Sequence, residues 1–170
     1  MKKISMTKAL VDISLESGVS VGGIVKKLKK LGASEVYQTA GSKDVYCIIE
    51  CNNMAELNAQ IDKIRKLRAD TDTALLLREV RDEKLVPSMK NAILAISIAN
   101  STPTYKVANA LAKFKKAEVP KIFESTGQTD IYCWINADDK AEIDELLSRI
   151  RKKLKSVEEY RIIPLLRIEK

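Results

Sequence analysis

Two short stretches of the chain carry side chains suited to holding a small polar molecule. Residues 39–47 read Thr-Ala-Gly-Ser-Lys-Asp-Val-Tyr-Cys, and residues 125–133 read Ser-Thr-Gly-Gln-Thr-Asp-Ile-Tyr-Cys. A carboxylate beside a glycine turn can receive an ammonium group, and the adjacent N–H groups and hydroxyls can receive a carboxylate. Asp44 and Asp130 are the charged centres of that reading. Thr39, Gly41, Ser42 and Lys43 accompany the first, and Thr126, Gly127, Gln128 and Thr129 the second. Asp and Gly also stabilise tight turns unaided, and turn chemistry is the preferred account of the two aspartates. A third polar stretch, Ser101-Thr102-Pro103-Thr104, precedes a helical pattern. The Ser101 and Thr102 hydroxyls could bind an anion with the helix N-terminus, although capping the helix is the commoner use of such residues.

Other chemistries are excluded by composition. The 170 residues include no His, so no Ser-His-Asp or Cys-His nucleophile pair and no His-ligated metal can form. Three Cys, at positions 47, 51 and 133, leave no fourth thiol for a structural zinc site. Cys47 and Cys133 read as buried strand thiols. An odd thiol count without an export signal favours a reducing compartment, the cytoplasm. No metal and no cofactor are expected. Acid–base catalysis would have to use Asp44/Asp130, Tyr46/Tyr132 or Glu56/Glu142, the duplicated titratable pairs. The expectation is that the chain is not an enzyme. Tyr46, Tyr132 and Trp134 could stack on a base, but aromatic content is only 5%, which favours core packing.

The two stretches are 86 residues apart, and the offset holds well beyond them. Lys27/Lys113, Gly41/Gly127, Asp44/Asp130, Tyr46/Tyr132, Cys47/Cys133, Glu56/Glu142, Ile64/Ile150 and Arg65/Arg151 are identical. Upstream the offset becomes 83, so residues 10–15 face residues 93–98. The chain therefore reads as two copies, 1–80 and 89–170, joined by a charged connector over 81–88 ending in Pro87-Ser88.

Each copy has the pattern strand, helix, strand, strand, helix, strand. Residues 8–15 form a strand, and Val21, Ile24, Val25, Leu28 and Leu31 form a helical stripe. Val107, Ala110, Leu111, Phe114 and Ala117 repeat that stripe. A hairpin over residues 40–43 joins strands 35–39 and 44–51. Leu57, Ile61, Ile64 and Leu67 form the second stripe, matched by Ile143, Leu147, Ile150 and Leu154. Residues 73–80 and 160–168 are the closing strands, with Pro164 implying a bulge, a strand start or an edge. Gly22-Gly23 reads as a close-approach loop. This order predicts an α+β fold of two ferredoxin-like βαββαβ units. The strands are apolar on both faces, so the two units are expected to pack sheet to sheet as an intramolecular pseudo-dimer.

Each copy resembles the effector-binding domain of the Lrp/AsnC transcription regulators. The resemblance rests on the βαββαβ order and the Gly-x-x-Asp turns at 41–44 and 127–130. Ala-Glu-Leu-Asn at 55–58 and Thr-Asp-Thr-Ala-Leu-Leu-Leu at 71–77 add to it. It implies a stand-alone module that senses an amino acid or similar small metabolite and modulates transcription through self-association or through full-length regulators of the family. The strand beginning by about Lys8 leaves no room for the family's helix-turn-helix, so direct DNA binding through that domain is not expected. Lys43 and Thr129 replace the aromatic the family often carries before the Asp.

The formal net charge is +7, and no apolar run approaches the roughly 18 residues of a membrane span. Basic runs at 26–30, 113–116 and 149–155 lie on helical patterns. Solvated faces are their usual meaning. The alternative function is a nucleic-acid-binding or structural interaction protein that uses these faces.

Overall fold

The structure, a computed structural model, describes residues 6–39, 44–86, 89–99 and 101–169. Gly41, Ser42 and Lys43 of the first turn, and Pro87-Ser88 of the expected connector, lie outside the described residues. The chain divides into two compact units, one comprising Met1–Leu76 with Leu166–Lys170 and the other Leu77–Leu165.

The first unit contains β1 (Thr7–Leu15), α1 (Val21–Lys30), β2 (Glu35–Thr39), β3 (Val45–Cys51), α2 (Met54–Arg65) and the start of β4 (Ala69–Asp82). β1 pairs antiparallel with both β3 and β4, and β2 pairs with β3. The second unit contains β5 (Lys90–Ile98), α3 (Thr104–Leu111), β6 (Lys121–Ser125), β7 (Ile131–Ala137), α4 (Lys140–Lys153) and most of β8 (Val157–Glu169). β5 pairs antiparallel with β7 and β8, and β6 pairs with β7. Both units are thus ferredoxin-like, and the fold is α+β. The ladders reproduce the two offsets seen in the sequence: Ile13 lies opposite Val45, and Ile96 opposite Ile131.

The division between units differs from the expected boundaries at 80 and 88. β4 is continuous to Asp82, so the first connector residues are strand. β4 pairs with β1 only as far as Leu76, and its remaining residues belong to the second unit. There Arg78 pairs with Glu124, and Asp82 with the buried Lys121. In β8 the register shift falls opposite Ser97/Ile98, and Pro164 sits in the ladder across from Ala92.

Strand alternation sends one face of each sheet under its helices. Val11, Ile13, Cys47 and Ile49 pack with Ile24, Leu28, Leu57 and Ile64 in the first unit. Leu94, Ile96, Cys133 and Ile135 pack with Leu111, Ile143, Leu147 and Ile150 in the second. The opposite faces are buried too, through Leu10, Tyr37, Tyr46 and Ile48, and through Ile93, Phe123, Tyr132 and Trp134. Phe123 meets Trp134 edge-on, with ring centroids 5.8 Å apart. These aromatic rings are core residues.

The first helices of the two units end differently. In α1 the Gly32 N–H donates to the Lys29 carbonyl, and the Ala33 N–H to the Leu28 carbonyl. With Gly32 at φ +90°, this is a Schellman closure. Glu118 stands at the equivalent position of the second unit, and α3 stops at Leu111. The expected stripe is therefore cut short: Phe114 and Ala117 lie beyond the helix. Gly22 and Gly23 are in the first turn of α1, where an added Cβ would come no nearer than 3.6 Å to any neighbour, so they mark no close approach.

Candidate functional site

The two turn aspartates occupy the same place in their units. The Leu15 N–H donates to Asp44 Oδ2 at 2.9 Å, and the Ile98 N–H to Asp130 Oδ2 at 2.7 Å. Each aspartate's own N–H donates to the preceding strand, to the Ile13 and Ile96 carbonyls at 3.0 and 2.9 Å. Each carboxylate thus fastens the hairpin to the last residue of the unit's first strand, where the ladder to the hairpin strand has run out and an N–H needs an acceptor. The structural role expected for these aspartates is present in both units. The second carboxylate oxygen, Oδ1, has no partner among the described residues in either case.

Around Asp130 the structure gathers most of the polar residues singled out in the second copy. The Ser97 hydroxyl donates to the Gln128 carbonyl at 2.9 Å, and the Ser125 hydroxyl to the Thr129 carbonyl at 2.7 Å. Gly127, at φ +100°, makes the turn, and Thr126 and Gln128 are exposed. Asp130 holds Ile98, the residue from which the loop to Ser101 and Thr102 departs. Ser101 is exposed and Thr102 half-buried. α3 then opens on Pro103, with no side-chain cap, so neither hydroxyl serves the capping role. In the first unit Ser20 does cap α1, accepting from the Gly23 N–H at 3.3 Å. Thr39 is buried, and its N–H donates to the Asp44 carbonyl.

The other duplicated candidates have structural work. Glu56 accepts from the Asn52 N–H at 3.1 Å, while Asn53 accepts from the Glu56 N–H at 2.9 Å. Glu142 and Asp139 repeat this at 3.0 and 2.9 Å. These are capping boxes that satisfy the first donors of α2 and α4, reaching one residue further back than usual. Tyr46 and Tyr132 are buried strand residues. Burial pushes the Cys47 and Cys133 thiols up to about 12. Cys51 is raised as well, by desolvation and then by Glu56. Among the described residues, no group of three or more His, Cys, Asp or Glu could hold a metal ion.

Sequence reasoning missed a pair of clefts beside the capping boxes. One, of about 340 Å³, is lined by Met6, Leu31, Gly32, Glu56, Ala59 and Gln60. The other, of about 290 Å³, is lined by Met89, Ala117, Glu118, Glu142, Glu145 and Leu146. These residues match pairwise at the offsets of 83 and 86, so the shared fold produces both clefts. The second also carries Arg149, which Glu118 and Glu145 hold in ion pairs. Only the offsets, applied to residues with no chemical signature, could have exposed them.

Residues 8–86 match the family model of the Lrp/AsnC ligand binding domain. The match spans β1 through β4 and stops before the second unit's own strands and helices. The match agrees with the resemblance seen in the sequence, and it supports a regulatory, small-molecule-binding type of module. No curated protein matches the chain. Among solved structures, the siroheme decarboxylase NirDL superposes with a TM-score of 0.75 at 13% identity, covering 97% of this chain and 72% of that one. A mutant chlorite dismutase from Candidatus Nitrospira defluvii superposes at 0.64 with 9% identity, covering 96% and 92%. A major regulator of staphylococcal pathogenesis does so at 0.53 with 8% identity, covering 94% and 98%.

These structures overturn the expectation that the chain is no enzyme, because the fold it shares is one on which a decarboxylase and a dismutase are built. That expectation weighed only the chain's own nucleophiles, His and acid–base pairs, whereas a bound group can carry the hard chemistry while the protein supplies binding and orientation. The decarboxylase has been solved with an iron-uroporphyrin III analogue. The chain has no His for axial ligation, and burial raises all three of its strand thiols, Cys47, Cys51 and Cys133, which disfavours a thiolate ligand. The residues of this chain do not fit an iron held in either way.

Proposed function

We propose that this chain is a sensor of an amino acid or a similar small metabolite, and that the turn end of the second unit receives it. The observation that carries this reading is the match of residues 8–86 to a ligand binding domain family. The geometry around Asp130 supports the placement. Asp130 Oδ1 has no partner among the described residues, so it is an acceptor for an ammonium group. The opening turn of α3 has no side-chain cap, so the Thr104 and Tyr105 N–H groups, with the Ser101 and Thr102 hydroxyls, are donors for a carboxylate. The Thr126, Gly127, Gln128 and Thr129 turn borders that position. The first unit would bind more weakly through Thr39, Gly41, Ser42, Lys43 and Asp44, because Ser20 already caps α1. Occupancy would bias self-association, or association with full-length Lrp/AsnC regulators, by favouring one arrangement of these loops.

The test is a thermal-shift screen of the intact protein against the twenty amino acids, run beside light-scattering mass. A ligand selective for the native state raises the melting temperature. Mass spectrometry of the recovered ligand shows whether it returns unchanged or converted. Asp130→Asn keeps an acceptor for the Ile98 N–H but loses the charge, so it should abolish the shift without unfolding the unit. A shift that survives Asp130→Asn would move the site elsewhere. The absence of any shift would end the amino-acid reading.

A further inference from the structure

The basic runs of the two units occupy equivalent positions. Lys27/Lys113, Lys29/Lys115, Lys30/Lys116, Lys63/Arg149, Arg65/Arg151 and Lys66/Lys152 are all cationic at the offset of 86. In the first unit the helix macrodipole gives a local reason for part of this: Lys27, Lys29 and Lys30 sit in the last turn of α1. The second unit removes that reason. α3 ends at Leu111 with no basic residue in its last turn, and Lys113, Lys115 and Lys116 lie in the irregular segment beyond it. The carbonyls there are served by Arg81, whose guanidinium donates to the Ala112, Phe114 and Val119 oxygens. The helix has receded while the lysines have stayed.

The fold then brings the two runs of the second unit together. Lys153 Nζ lies 5.3 Å from the centre of the Phe114 ring, so the end of α4 stands beside the 113–116 segment. Lys113, Lys115, Lys152, Lys153 and Lys155 are exposed and have no acidic partner among the described residues, and Arg151 lies over the Tyr160 ring. Lys116 and Arg149 are the cations of these runs that are paired with acids, with Glu83 and with Glu118 and Glu145. These like charges repel one another; the α4 macrodipole and the Phe114 ring favour only Lys152 and Lys153, and Lys113, Lys115 and Lys155 have neither. The large exposed apolar residues are Met6, Met54, Leu77, Val86, Tyr105 and Leu166, none of them within the two runs. A membrane-surface helix needs an apolar face to insert. A surface of unpaired lysines without one suits the regularly spaced phosphates of a nucleic-acid duplex.

We infer that this face of the second unit docks on the phosphate backbone of double-stranded nucleic acid, without reading its sequence. This inference stands apart from the sensor reading, since it uses none of the residues around Asp130.

The experiment is fluorescence anisotropy of the intact protein with a labelled 20-base-pair DNA duplex and an RNA duplex of the same sequence. If five phosphates are neutralised, affinity falls about 500-fold between 50 and 200 mM salt. Both duplexes should bind, because only backbone is contacted. A charge-reversal variant, Lys113→Glu/Lys115→Glu/Lys152→Glu, should weaken binding at least tenfold at 50 mM salt, with circular dichroism reporting an intact fold. Lys90→Glu/Lys106→Glu/Lys140→Glu makes the same change in net charge away from the face and should bind nearly as the parent does. Equal losses in the two variants would reduce the effect to net charge and overturn the proposal. So would no binding by the parent at 50 mM salt, or binding to phosphatidylserine vesicles through the same lysines with none to either duplex.

Discussion

The two units solve the same closure problem with different residues. After its first helix, each must turn back into the second strand. The first does so with Gly32, at φ +90°, which lets α1 run to Lys30 and close on its own carbonyls. The second has Glu118 at that place, and its helix ends at Leu111. Arg81, from the far end of β4, crosses over to bind three carbonyls of the replacement segment. A local device has been exchanged for a long-range one. A cross-strand pair differs in the same spirit. Lys8 and Glu50 form an ion pair at 3.0 Å, whereas the second unit places Asn91 opposite Asn136 at the equivalent positions. Both asparagines are buried, and each has an amide oxygen without a hydrogen-bond partner. By contrast, the aspartate staples and the capping boxes are the same in both units. The lesson is that the hairpin staples and the openings of the second helices persist, while the opening and closing of the first helix and a cross-strand pair drift.

The largest expected effect tests the equivalence of the cores. Cys47 and Cys133 titrate near 12 in the folded chain, well above the ordinary thiol value. A raised thiol pKa contributes stability that is fully present below the unfolded value and is lost as pH rises through the folded one. Stability should therefore fall between about pH 9 and 12, by up to roughly 4 kcal/mol per thiol. Urea unfolding of Cys47→Ala and of Cys133→Ala across that range should show each removing an equal part of the alkaline loss. An unequal effect would mean that the strand environments differ.

Arg81 tests the contrast directly. Arg81→Ala leaves three carbonyls without their donor and should destabilise the second unit by about 3 kcal/mol in urea unfolding. An effect below about 1 kcal/mol would mean that water serves those carbonyls equally well.

The staples should cost about 2 kcal/mol each on Asp44→Ala or Asp130→Ala, because a strand-end N–H loses its charged acceptor. Parity between the two, read by chemical denaturation, sharpens the equivalence of the turns. The first unit's closure should lose about 1 kcal/mol on Gly32→Ala, since an L residue is strained at that φ. The smallest effect expected is that of the N-caps: Asn53→Ala and Asp139→Ala should each cost about 1 kcal/mol or slightly less, by thermal unfolding.

Much of the fold could be read from the chain because the informative signals are local. Alternating strands, helical stripes and the paired offsets of 86 and 83 place all the elements of both units. The turn aspartates and the Glu56 and Glu142 positions were visible for the same reason. What local patterns could not show was competition between distant groups. The stripe through Phe114 and Ala117 looks helical, yet the helix end depends on Gly32 having become Glu118 and on Arg81 lying 31 residues before Ala112. The clefts beside the capping boxes are formed by the ends of several elements, and no one segment carries a mark of them.

The sequence by itself determined the architecture, the turn chemistry and the absence of His, because each rests on residue type and short spacing. The tertiary structure decided which oxygen of Asp130 is free, which lysines lack partners, and where α3 ends. Those depend on groups far apart in the chain meeting in space, which only the packed fold brings about.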